Sequence, residues 1–307
     1  MNETRTTWRD ECAQVRARLA EHGLANAARE ARWLVEAASG LDGAELDVDD
    51  SPVGARAREH LWSMCDRRIA GEPLQYVLGS WSFRGLDLMV DPRVLIPRPE
   101  TEWVVEVALR EMERRGVRRG PPAASRRAGT PTVHVADLGT GSGAIALALA
   151  AELPDAEIWA TDVSDDALAV ARANLAGQAS TLVRLAAGSW FDALPDDLRG
   201  RLDLVVSNPP YLADDERATL VPEVRDREPA VALFAGPSGL EALEVVIGEA
   251  PAWLRPGGVL VCELAPHQAP PAAAAARSAG YESVTVHDDL AGRARVLVAA
   301  TPSSDPR

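Results

Sequence analysis

The chain has 307 residues, 47% hydrophobic and 25% charged, enough for one large domain and a small one with ample cores. Its formal net charge of −14 argues against an electrostatic grip on nucleic-acid phosphates, although a local basic patch stays open; every basic residue is arginine. Cys12, Cys65 and Cys262 are too scattered for a disulfide framework or a Cys-x-x-Cys metal site, and the polar N-terminus and short apolar runs predict a reduced, cytoplasmic protein without a membrane span.

Residues 5–72 read as helices. Trp8, Cys12, Val15 and Leu19 recur at helical spacing, as do Leu24, Ala27, Ala28, Ala31 and Leu34, and then Leu61, Cys65 and Ile69. Gly40, Gly43 and Ser51-Pro52 punctuate them. Residues 1–73 therefore predict a small helical domain, either a packing module or a partner-docking one. Gly71-Glu72-Pro73 breaks the pattern, and residues 74–97 predict a β-hairpin linker: Gln75–Leu78, then Trp81–Phe83, Gly85 and the alternating Leu86–Val90. Prolines on both sides of Arg98 make a stiff connector, and Thr101 or the acids near it can cap a helix from Trp103 to about Arg114. Gly116–Thr130 reads as a solvated loop; its Arg118, Arg119, Arg126 and Arg127 could otherwise touch RNA or an acidic partner.

From Val133 strands and helices alternate. Strands are expected at Val133–Leu138, Ile158–Thr161, Thr181–Leu185, Leu202–Ser207 and Val259–Leu264. Helices run between them to about Glu152, over Asp165–Ala176, around Leu240–Leu254 and around Ala269–Ser278. Two final strands, Ser283–Val286 and Ala294–Ala300, have no clear helix between them and suggest an antiparallel hairpin at one edge. The fold class is α/β: a Rossmann-like, mostly parallel seven-stranded sheet over 98–302, with ligands beyond the carboxyl ends of the strands.

Asp137-Leu138-Gly139-Thr140-Gly141-Ser142-Gly143 sits where a strand hands over to a helix. Its glycines let the backbone turn tightly against a ligand, and their Gly-x-Gly-x-Gly spacing departs from the pyrophosphate pattern. Asp162 closes the next strand 19 residues after Gly143, placed to bond both ribose hydroxyls, and Asp137 can face a cationic end of the ligand. Either aspartate could instead only cap a helix. Trp190 is a candidate wall for an adenine ring or an ordinary core tryptophan. His134, His267 and His287 form no cluster with metal spacing, so no metal is expected.

Asn208-Pro209-Pro210-Tyr211 follows the buried-looking strand. The prolines cannot extend a ladder and stiffen the residues before them, leaving carbonyl oxygens free to accept. With the Asn208 side-chain oxygen and the flat Tyr211 ring, the motif suits a planar –NH2 group. Accepting both hydrogens holds a delocalised nitrogen and favours the positive charge that grows on it during attack. A plain Pro-Pro turn is the alternative for the tetrapeptide alone.

Together these motifs give the layout of an S-adenosylmethionine-dependent amino methyltransferase, and the chain resembles the HemK/PrmC family of protein-(glutamine-N5) methyltransferases. The resemblance rests on Glu72–Tyr76, Val94–Glu102, Asp137–Ile145, Ser207–Tyr211, Arg225-Asp226 with Glu228-Pro229, Gly236–Leu240 and Asp289–Arg293. It implies a class I S-adenosylmethionine-dependent methyltransferase fold with a small N-terminal all-helical domain. It also implies S-adenosylmethionine as cofactor, S-adenosylhomocysteine as product, and the Gly-Gly-Gln domain of peptide chain release factors as partner. A monomer is expected, without stable nucleic-acid or membrane binding. Carried over by resemblance, Gly139, Thr140, Gly141, Ser142, Gly143, Asp162, Trp190 and Asn208 line the cofactor, while Asn208, Pro209, Pro210 and Tyr211 hold the substrate glutamine. Ser189 stands where relatives often carry an acid beside the adenine, and Glu263-Leu264-Ala265 replaces the usual Glu-Ile-Gly. Three rivals stay open: an adenine-N6 methyltransferase of DNA or RNA, a cofactor-binding protein without turnover, and a relative redirected to another protein or peptide glutamine.

Overall fold

The computed structural model describes residues 6–120, 133–178 and 180–303. It contains two compact units, Met1–Ser80 with Val221–Arg227 and Trp81–Leu220 with Glu228–Arg307.

The first unit is helical: α1 (Trp8–Glu21), α2 (Ala27–Ser39), α3 (Gly43–Val48), α4 (Ala55–Ile69) and α5 (Leu74–Leu78). Of the residues that helical spacing selects, Trp8, Val15, Leu19, Ala27, Ala31, Leu34, Leu61 and Cys65 meet in one core, Cys12, Leu24 and Ile69 pack against it partly buried, and Ala28 is exposed. Thr7 starts α1 with a reciprocal cap: its hydroxyl accepts from Asp10 N and its own N–H donates to the Asp10 carboxylate. The buried Arg68 is compensated by Glu30 (Nε to Oε2, 2.7 Å) and by Glu223 from the returning segment (2.8 Å). α5 corrects the expected strand at Gln75–Leu78. Tyr76 and Val77 are adjacent and both buried, which one face of a pleated strand does not allow, and Gly79 ends the turn at φ 77°.

A hairpin follows, β1 (Ser80–Phe83) and β2 (Leu86–Met89), in the second unit from Trp81 onward. α6 then runs over Pro99–Arg114, four residues earlier than expected. Pro99 occupies the first helical position, where a missing N–H costs nothing, and Arg98 rather than Thr101 precedes it. The chain continues through β3 (Val133–Leu138), α7 (Ala144–Glu152), β4 (Ala156–Asp162), α8 (Asp165–Gly177), β5 (Val183–Ala187), β6 (Leu202–Ser207) and β7 (Leu212–Ala213). After α9 (Pro222–Arg225, in the helical unit) come α10 (Ala230–Leu233), β8 (Phe234–Gly236) and α11 (Glu241–Glu249). β9 (Leu254–Glu263), α12 (Ala269–Ser278), β10 (Ser283–Asp288) and β11 (Ala294–Ala300) complete it.

Seven strands form one sheet in the order β10-β11-β9-β6-β3-β4-β5. Neighbours from β9 to β5 are parallel, and β11 runs antiparallel between β9 and β10, so the edge hairpin is present. Alternate residues feed opposite faces: Leu204 and Val206 pack with α6 and α7, while Val205 packs with α11 and α12. With both faces covered, β6 is buried at every position. The connections after β3 lead first to β4 and β5 on one side and then to β6 on the other. A ligand crevice is expected beyond that reversal, at the carboxyl ends of β3 and β6.

In the connection after α6, Arg119 pairs with Glu106 (3.0 Å) and Glu152 (2.6 Å), and Arg118 with Asp155 (3.6 Å). Arg126 and Arg127 lie outside the described residues. Among the described residues, no helix is long and apolar enough to cross a membrane, and no group of three His, Cys, Asp or Glu side chains could hold a metal.

Candidate active site

The glycine loop after β3 owes its shape to backbone torsions that side-chain-bearing residues rarely adopt: φ is 71° at Gly139, 56° at Gly141 and 83° at Gly143. Gly139 N and Thr140 N both donate to Thr161 O (2.9 Å each), and Gly141 N donates to Asp162 Oδ2 (2.9 Å). These N–H groups are satisfied by β4, so the loop is not the open nest of donors that a phosphate needs. Asp137 lies behind the loop, fully buried, its Oδ2 accepting from Thr140 Oγ1 (2.7 Å) and Ala146 N (3.1 Å) while Oδ1 has no partner among the described residues. Burial pushes its carboxyl up to about 7, against those two hydrogen bonds. Burial also raises the Asp162 carboxyl, opposed by backbone N–H bonds from Ser164, Gly141 and Val163.

In front of the loop lies a cavity of about 400 Å³. One wall is Gly139–Ser142 with Asp162, another is Gly188–Trp190, and others come from Val94–Pro97, from Pro229–Ala235 and from Glu241–Val245 of α11. Trp190 has the unusual φ of 46° for a non-glycine residue. A Cβ on Gly139 would stand 3.7 Å from the Trp190 ring, an ordinary contact, so the ring lies directly against the loop. Apart from Arg93, which Asp91 neutralises at 2.6 Å, the charged groups at the wall are Asp162 and Glu241. Backbone N–H bonds, chiefly from Ser238, hold the Glu241 carboxyl below its ordinary range. An apolar slot with an aromatic plate, a carboxylate at a strand end and net negative charge fits a cationic nucleoside.

At the end of β6, Asn208 and Pro210 line the same cavity. Asn208 Nδ2 donates to Thr101 Oγ1 (3.2 Å), and Thr101 Oγ1 donates to Glu263 Oε2 (2.8 Å). Asn208 Oδ1 is buried and has no partner among the described residues. An amide tied by its nitrogen leaves its oxygen as the acceptor still to be satisfied. Pro209 is buried and Tyr211 half-buried. Gln268 fixes the exit of the motif by donating to Tyr211 O (2.9 Å) and Gly239 O (2.7 Å).

Of the residues expected from the sequence, Gly139, Thr140, Gly141, Ser142, Asp162, Trp190, Asn208 and Pro210 come together at the cavity. Asp137, Gly143, Pro209 and Tyr211 do not line it. Gly143 caps α7 at a φ of 83°, and a Cβ there would make ordinary contact with Ala171, Leu147 and Leu175, so the torsion rather than the space favours glycine. The sequence assigns no place at the site to Thr101, Glu263, Gln268 or the Pro229–Ala235 wall, although Thr101, Pro229 and Glu263 lie in stretches that the resemblance covers. Thr101 was expected only as a helix cap, and its partners in the fold are remote in sequence.

Gly239 offers a direct test of how tightly the motif is held. Its φ is 75°, and a Cβ there would stand 2.8 Å from Tyr211 O and 3.1 Å from Ala213 N, both backbone. Gly239→Ala is expected to cost about 1–3 kcal/mol, read as a lowered melting temperature. An unchanged melting curve would show that the Tyr211 segment yields freely.

Residues 12–79 match the family described as the PrmC N-terminal domain, and residues 126–224 that described as the methyltransferase small domain. The chain is 41% identical over 290 residues to the release factor glutamine methyltransferase of Deinococcus radiodurans, spanning 94% of this chain and 96% of that one. The protein of the same description from Geobacter sulfurreducens is 43% identical over 255 residues, 83% of this chain and 82% of its own. Among solved structures, a methyltransferase from Pyrococcus furiosus has a TM-score of 0.50 at 19% identity, over 81% of this chain and all (100%) of that one. The N-terminal domain of human METTL16 in complex with SAH has a TM-score of 0.50 at 20% identity, over 78% and 84%. These two likenesses bear on the fold alone.

Proposed function

Because the chain belongs to the family of release factor glutamine methyltransferases, we propose that it methylates the side-chain amide N5 of the glutamine in the Gly-Gly-Gln motif of peptide chain release factors. S-adenosylmethionine supplies the electrophilic methyl carbon and leaves as S-adenosylhomocysteine. The observation that supports the reading best is that Asn208 lines the cavity and its Oδ1 is buried without a partner among the described residues, on an amide already anchored through its nitrogen.

In this reading Gly139, Thr140, Gly141, Ser142, Asp162, Trp190 and Asn208 hold the cofactor, and Asp137 and Gly143 shape the loop from behind. Asn208 Oδ1 and the Pro209 carbonyl accept the two amide hydrogens of the substrate, Pro210 stiffens the turn, and the Tyr211 ring packs on the amide plane. The two acceptors orient the nitrogen and stabilise the charge that develops on it, so no general base is required before transfer. The proton leaves afterwards, when the nitrogen carries positive charge. A carboxylate in the glutamine's place would set oxygen lone pairs against oxygen lone pairs and be rejected.

Residues 1–73 act as the substrate-docking domain, 74–97 as the linker and 98–302 as the methyltransferase domain of a cytoplasmic monomer. The test is mass spectrometry of a purified release factor incubated with this protein and S-adenosylmethionine. The Gly-Gly-Gln peptide should gain one methyl group, and a release factor carrying Glu in place of that Gln should gain none. Equal modification of both would overturn the acceptor mechanism, and modification of neither would overturn the substrate assignment.

A further inference from the structure

An amide side chain can face a cavity in two ways, and Asn208 has a device behind it that selects one. Thr101 Oγ1 has one hydrogen to give. While Glu263 carries a charge, that hydrogen goes to Glu263 Oε2 (2.8 Å), and Thr101 can only accept from the Asn208 nitrogen (3.2 Å). The Asn208 oxygen is thereby turned away from Thr101 and left free. If Glu263 held a proton, its hydroxyl would donate to Thr101, and the Thr101 hydrogen would point back at Asn208. The amide would then turn over to accept it and present its –NH2 to the site. A donor would meet the two donors of a substrate amide where an acceptor is needed.

We propose that Thr101 and Glu263 are positioning residues that set the orientation of the Asn208 amide, so that methyl transfer requires a negative charge on Glu263. The inference rests on the reading of Asn208 as the acceptor for the substrate amide. Glu263 is 1% exposed, at the carboxyl end of β9 next to β6. It is faced by Arg295 from β11, by Arg98 and Glu100 at the start of α6, by Tyr211 after β6, and by its neighbour Cys262. Desolvation outweighs the Thr101 hydrogen bond and the two arginines, and the carboxyl is pushed up to about 7. The switch therefore falls in the physiological range. A raised carboxyl is protonated below its pKa, so the active orientation dominates above about 7 and is lost as pH falls.

Two measurements test this on the full-length protein. The first is the single-turnover rate with an intact release factor at saturating S-adenosylmethionine, from pH 5.5 to 8.5. Saturation removes effects on cofactor affinity that arise from Asp137, the other buried carboxyl raised to about 7. The rate should fall by up to about tenfold per pH unit below the pKa of Glu263. Glu263→Gln, which keeps the shape and cannot ionise, should flatten that profile. Thr101→Val should lower kcat by about tenfold, the worth of an orienting hydrogen bond, with KM for the cofactor little changed, and Thr101→Ser should restore it. The second measurement needs no turnover. The chain has four asparagines (Asn2, Asn26, Asn174, Asn208), so 15N-asparagine labelling gives four side-chain amide signals, and Asn208→Ala identifies the relevant one. That signal should titrate with the midpoint of the rate profile and stop titrating in Glu263→Gln. An Asn208 signal indifferent to pH, or a Glu263→Gln profile identical to the parent, would overturn the proposal. A protein that methylates no release factor yet shows the Asn208 titration would sink the substrate assignment and leave the positioning pair standing.

Discussion

Asn208→Ala is expected to lower the rate of methyl transfer by about 10²–10³-fold, the usual effect of removing one preorganised group aimed at developing charge. The substitution deletes the acceptor whose oxygen is buried and unpartnered, and leaves Thr101 bonded to Glu263 as before. A water entering the vacated space can accept a hydrogen, but it must be oriented during the reaction, whereas Asn208 is held beforehand by Thr101 at 3.2 Å. Cofactor affinity should change far less than the rate, because the glycine loop, Asp162 and Trp190 remain. Single-turnover kinetics with a release factor, beside calorimetric binding of S-adenosylhomocysteine, separate the two. A variant as fast as the parent would remove the basis of the mechanism proposed here.

Asp162→Ala should weaken S-adenosylhomocysteine binding by about 10²-fold, since each hydrogen bond to a charged group is worth about 1.5–3 kcal/mol. Two effects combine at this residue. Its carboxylate stands at the cavity wall, at a strand end where ribose hydroxyls are expected. It also accepts from Gly141 N and Ser164 N, both at 2.9 Å, so it fixes the middle of the glycine loop and the turn into α8. Asp162→Asn keeps one acceptor oxygen and should fall between the parent and the alanine variant. Titration calorimetry checks both. Unaltered affinity in Asp162→Ala would place the ribose elsewhere, and the turn at Gly141 would then be the only feature that needs this carboxylate.

The parts of the site that lie in one short stretch of chain were legible before the fold was known. The glycine loop, Asp162 and the tetrapeptide from Asn208 each sit where a strand ends, and alternating strands and helices predict that such ends converge. The supporting partners were not legible, because their meaning comes from residues far away in sequence. Thr101 lies 107 residues from Asn208 and 162 from Glu263, and nothing near it distinguishes a hydroxyl that caps a helix from one that reaches across to a sheet. Pro99 adds to the ambiguity, since it can stand either just before a helix or at its first position. The five residues Leu74–Leu78 are too few for period two and period 3.6 to separate, so burial against the helical core decided the outcome. The Pro229–Ala235 wall is built from very short elements, α10 and β8, which leave no periodic signal at all.

The path of the chain after β7 has a consequence for anyone who would take the protein apart. Residues 221–227 leave the sheet-bearing unit to join the helices, contribute Glu223 to the compensation of Arg68, and return one residue before Pro229 at the cavity wall. A fragment cut after Ser80 would thus lack one of its own pieces, with a buried guanidinium short of a counter-charge. The N-terminal module is not a cassette that can be moved to another enzyme by joining one end, because it is built from two separate segments of the chain.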